Sequence, residues 1–88
     1  MPAQVPQEFY DMVDRFIAVA NEMTAKHPTS RVSAVIMFAA ARFNAHCLLA
    51  MDPDAHKKRD ETVTYFVEQY RTVLEENIDW LTRLRAEP

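Results

Sequence analysis

The sequence predicts an all-α fold: an up-down three-helix protomer with a long third helix, associating as a helical dimer. Three observations predict it. The 88 residues contain no glycine. The five prolines, Pro2, Pro6, Pro28, Pro53 and Pro88, interrupt no periodic segment and leave three helical lengths between two ends. The stretch Val32–Met51, VSAVIMFAAARFNAHCLLAM, is twenty residues long and nearly all apolar. The missing glycine excludes most. Hairpin turns of types I′ and II′ usually need it. So do phosphate loops, dinucleotide fingerprints and nucleophile elbows.

The first helix is expected over about 7–26. Phe9, Met12, Val13, Phe16, Ala20 and Met23 recur at spacings of three and four and form one stripe, widened by Tyr10 and Ile17. Asp11, Asp14, Arg15, Glu22 and Lys26 take the other face. Asp11–Arg15 and Glu22–Lys26 are i,i+4 pairs in the favourable order. Pro28 then forbids the helix from running on.

The second helix is expected over about 30–51. Thr29 and Ser30 are its N-cap candidates. Ala, Leu and Met dominate it, and they are strong helix formers. At 100° per residue, Ile36, Ala39, Phe43, Cys47 and Ala50 fall on one face. Ala34, Phe38, Ala41, Ala45 and Leu48 fall on the opposite one. Arg31, Arg42 and His46 mark one flank; Ser33, Ala40 and Asn44 mark the other. A helix that is apolar on two opposed faces needs cover on both.

The third helix is expected over about 53–84, since Asp52-Pro53 reads as an N-cap followed by a first helical residue. A start at Asp60, after an irregular AHKKR segment, is the alternative. Val63, Phe66, Val67, Tyr70, Val73, Leu74, Asn77, Ile78, Leu81 and Leu84 form a continuous stripe. Glu68, Thr72, Glu75, Glu76, Asp79 and Arg83 lie opposite. No internal repeat or low-complexity segment is present.

Two of these stretches, VSAVIMFAAARFNA (Val32–Ala45) and YFVEQYRTVLEENI (Tyr65–Ile78), resemble the signature stretches of a family of small bacterial proteins. That family is catalogued only as a domain of unknown function. The resemblance covers nearly the whole chain. It implies an all-helical bacterial protein and brings no activity, cofactor or catalytic residue with it.

Residues 1–88 read as one domain, with a thin core because so short a chain buries only about 60–65% of its unfolded surface. Net charge is −3, which argues against nucleic acid as a partner. A single cysteine excludes an intrachain disulfide and a cysteine-rich zinc site. Twenty apolar residues raise the question of a membrane span. Arg42, Asn44 and His46 sit past its middle, however, and a central Arg costs roughly 2.5–3.5 kcal/mol on insertion scales. No basic flank or aromatic belt brackets it, and MPAQVPQEF lacks the regions of a signal peptide. The expectation is a cytoplasmic protein outside the membrane.

No catalytic residue, metal site or cofactor is expected. His46 and Cys47 are adjacent and therefore diverge on a helix. No Glu-x-x-His pair of a di-iron bundle occurs. The run His56-Lys57-Lys58-Arg59 is followed at once by Asp60 and Glu61, so it reads as a solvated turn. Arg42 stands among apolar neighbours and needs a partner, for which a carboxylate such as Asp14 or Glu68 is expected. Two functions stay open. One is a non-enzymatic protein–protein interaction module. The other is a small-ligand-binding or regulatory subunit with a pocket near Arg42, Asn44 and His46.

The homodimer follows from two mismatches. One face of helix 2 (Ala34, Phe38, Ala41, Ala45, Leu48) stays apolar beyond what a three-helix bundle covers. Helix 3, at about 48 Å from Pro53, also outruns partners of about 30 Å. The excess carries Ile78, Trp80, Leu81 and Leu84, with Asn77 placed like a register-fixing polar residue of a coiled coil.

Overall fold

The computed structural model describes residues 5–87. Pro2, Pro88 and the start of the N-terminal stretch lie outside them. The described chain is all-α, with three α-helices and no strand: α1 (Gln7–Thr24), α2 (Thr29–Met51) and α3 (Arg59–Ala86), plus one 3₁₀ turn at Ala55–Lys58. The chain falls into two compact units, Met1–Cys47 and Leu48–Pro88, with the boundary inside α2.

In the first unit, α1 begins directly after Pro6, whose extended backbone and carbonyl bond to the Phe9 N–H (3.0 Å) start the helix. Its end tightens before Pro28. The N–H groups of Ala25 and Lys26 bond to carbonyls three residues back, Glu22 and Met23. This shortens the helix by two residues relative to the expected end at Lys26. A residue preceding proline avoids the helical region, so the last turn cannot continue. Asp11 accepts a hydrogen bond from Gln7 Nε2 at 3.1 Å, where the sequence suggests Arg15 as its partner.

The Pro28 carbonyl accepts from both Arg31 and Val32, which makes Thr29 the first residue of α2. Thr29 and Ser30 therefore lie inside the helix, not ahead of it as caps. Val32, one turn in, is 4% exposed. Among the described residues it shares the buried class only with Ala55. α1 and α2 do not pack side by side, and the α1 stripe remains open: Phe16 is 76% exposed.

The second unit holds the end of α2, the 3₁₀ turn and α3. Here the third helix departs from its expected start at Pro53. Asp52 Oδ1 does accept the Asp54 N–H at 3.0 Å, an Asx turn ahead of the helix and not its N-cap, which is Asp54. The helix that follows is a different one. Ala55 N–H bonds to the Asp52 carbonyl and Lys57 N–H to the Asp54 carbonyl, both at 2.9 Å and both with three-residue spacing. His56 Nδ1 lies 3.1 Å from the Pro53 carbonyl and Lys57 Nζ 3.4 Å from Asp54 Oδ1. Lys58, at φ −116° and ψ 28°, breaks the helical line. α3 starts at Arg59, one residue before the alternative start at Asp60. At 28 residues it spans about 42 Å, not 48 Å. Its excess over the 23-residue α2 narrows to five residues (28 − 23).

Candidate functional site

The predicted polar group on α2 is split by the helix itself. Val35, Phe38, Ala39, Arg42, Phe43 and His46 line an open concavity of about 470 Å³ on one side of α2. Arg42 and His46 are four residues apart and so share that side. Asn44 is not among the lining residues and, at 100° per residue, faces the other way. The concavity sits on the polar flank between the two apolar faces, and each face contributes a ring to it: Phe38 from one, Phe43 from the other.

Arg42 has no carboxylate partner among the ion pairs of the described residues, which join Asp54–Lys57, Asp60–Arg59 and Glu68–Arg71. Its guanidinium carbon lies 4.8 Å from the centroid of the Phe38 ring. The expected carboxylate is thus replaced by an aromatic face. The cause is local: a side chain at i+4 is a neighbour by helix geometry alone. The face of a phenyl ring attracts a cation, at exposed sites by about 0.5–1 kcal/mol. The i,i+4 spacing of Phe38 and Arg42 is visible in the sequence, so this contact was legible there as a candidate.

The predicted dimer surface is largely uncovered. Ala34, Phe38, Ala41 and Ala45 are exposed, with Phe38 at 63%. Leu48, beyond the unit boundary, is half-buried. In the second unit Ile78, Trp80, Leu81 and Leu84 are all exposed, and Asn77 is half-buried. Asn77 Nδ2 donates to the Val73 carbonyl at 2.8 Å, a bond within its own helix. One amide hydrogen and Oδ1 are left over. Cys47 is a free thiol on the exposed surface of α2.

By length and composition α2 is long and apolar enough to cross a membrane. Among the described residues no group of three His, Cys, Asp or Glu side chains is placed to hold a metal ion.

Residues 9–81 match the family described as "Protein of unknown function (DUF3144)", and the chain belongs to that family. Neither a curated protein nor a solved structure matches the chain.

Proposed function

We propose that this DUF3144 protein is a non-enzymatic interaction module that works as a homodimer in the cytoplasm and docks on a further protein. One observation carries the reading: apolar side chains on all three helices stand open to water. Phe16 on α1, Phe38 and Phe43 on α2, and Val67, Tyr70 and Leu81 on α3 are all exposed. Apolar stripes left open along helices mark interaction sites. The polar residues Arg42, Asn44 and His46 speak against lipid as the cover for α2, because each would have to be desolvated within the span. The reading gives the chain no chemistry of its own.

The test is mass measurement by light scattering on the wild type and on Phe38→Glu. A wild type at twice 10.2 kDa and a variant at 10.2 kDa are expected. A charge placed in a buried apolar contact is strongly disfavoured. A wild-type monomer overturns the reading, as does a protein that stays with membranes through a carbonate wash.

A second reading rests on the α2 concavity. Arg42 and His46 face the same open space beside two phenyl rings, which suits a small anion with an apolar part. It predicts that phosphate or sulfate raises the melting temperature of the wild type and not of Arg42→Leu. An equal response of the two proteins contradicts it.

A further inference from the structure

α3 carries a seam more regular than its amphipathic stripe requires. From Val63 the exposed or half-buried seam positions follow steps of four and three through Val67, Tyr70, Leu74, Asn77, Leu81 and Leu84, apolar at every one but Asn77. This is the a/d pattern of a left-handed coiled coil, sustained over three heptads. Val67, Leu74 and Leu81 take a; Val63, Tyr70, Asn77 and Leu84 take d. Among the described residues of the second unit, no contact joins α3 to the end of α2.

We propose that this seam is occupied by the α3 helix of a second copy of the chain, parallel and in register. The proposal rests on the homodimer reading above: it adds the α3 seam to the dimer surface that Phe38 and the outer face of α2 supply, and fixes the orientation of the two copies. The flanking positions decide the orientation. One flank, position g, carries Phe66, Val73 and Trp80; the other, position e, carries Arg71, Ile78 and Arg85. In a parallel pair each g residue meets the e residue five positions further along the partner helix. Phe66 then meets Arg71, Val73 meets Ile78 and Trp80 meets Arg85. Every pair is complementary: two are cations against aromatic side chains, and one is apolar throughout. Arg71 is held only by Glu68 on its own helix, at 3.8 Å and exposed.

The antiparallel arrangement with full overlap pairs Phe66 with Trp80 and Val73 with Val73 along one flank but brings unlike groups together elsewhere. It sets Asn77 against Val67 and Asp60 against Leu84, and it places Arg71 beside its own symmetry mate. In the parallel arrangement Asn77 meets Asn77. Each amide still has one hydrogen and Oδ1 to offer once Val73 is satisfied. Asp60 then meets Asp60 in the first turn, where each carboxylate already has Arg59 at 3.4 Å.

Cysteine cross-linking tests this on the whole chain with Cys47→Ser as background, since Cys47 is its single cysteine. Parallel and in register, Leu84→Cys places two thiols across the seam within disulfide reach. Antiparallel, the same thiols lie about 36 Å apart along the axis. Expected are near-complete covalent dimers for Leu84→Cys in a glutathione redox buffer, and none for Thr72→Cys on the outer face. Leu81→Cys repeats the test at an a position should Leu84→Cys disturb folding. A protein that sediments as a dimer but links only when Val63→Cys and Leu81→Cys variants are mixed overturns the parallel seam and leaves self-association standing. A monomer in sedimentation removes both.

Discussion

Arg42 shows how a single cation is accommodated on a helix with almost nothing polar around it. Its guanidinium rests on the ring of Phe38, one turn back, and the contact needs nothing outside α2. Folding stability should therefore couple the two residues. A double-mutant cycle between Phe38→Leu and Arg42→Leu, read by thermal unfolding, should give a coupling of about 0.5–1 kcal/mol. A coupling indistinguishable from zero would mean that the stacking contributes nothing. The sequence made plain that Arg42 needed a partner. It did not show which, because the Phe38 ring one turn back and carboxylates on the other helices, such as Asp14 and Glu68, are all candidates by sequence. The same helical period that put Arg42 and His46 on one flank already put Asn44 on the other. The split of the predicted polar cluster was thus legible from spacing alone.

Among the elements, the turn between α2 and α3 is the most instructive. Asp52-Pro53 announces a helix cap, and Asp52 does accept the Asp54 N–H, but the residue before the 3₁₀ helix is Asp54, and its side chain caps nothing. What the dipeptide does not encode is the kind of helix that follows. A 3₁₀ turn and an α-helix can start from the same residues. They diverge only when the next N–H groups choose partners three or four residues back. Here Ala55 and Lys57 choose three. Asp52→Ala should loosen this turn and speed hydrogen exchange at the Asp54 amide. An unchanged exchange rate at Asp54 would show that the side-chain bond does not hold the turn. The helices themselves were legible: proline placement and apolar period mark α1 and α2 to within two residues at each end, and α3 apart from its first six expected residues. The stripe of α3 was equally plain. Ala41→Leu offers a check on the central helix: in an assembly that covers its outer face, overpacking should cost ~1–3 kcal/mol. An unchanged unfolding midpoint would leave Ala41 facing water.

For the molecule as a whole, the account turns on what covers its apolar surface. The all-helical class was legible because a chain without glycine and with prolines only between periodic segments has few other options. The cover was not legible, because periodicity identifies a face that must be buried and says nothing about which chain buries it. Membership of a family of unknown function adds no partner. The central claim is that a second copy supplies the cover, and sedimentation equilibrium of the wild-type protein at tens of micromolar tests it most directly. The account predicts a species of twice 10.2 kDa that dissociates only on dilution. A 10.2 kDa species persisting at that concentration would contradict it.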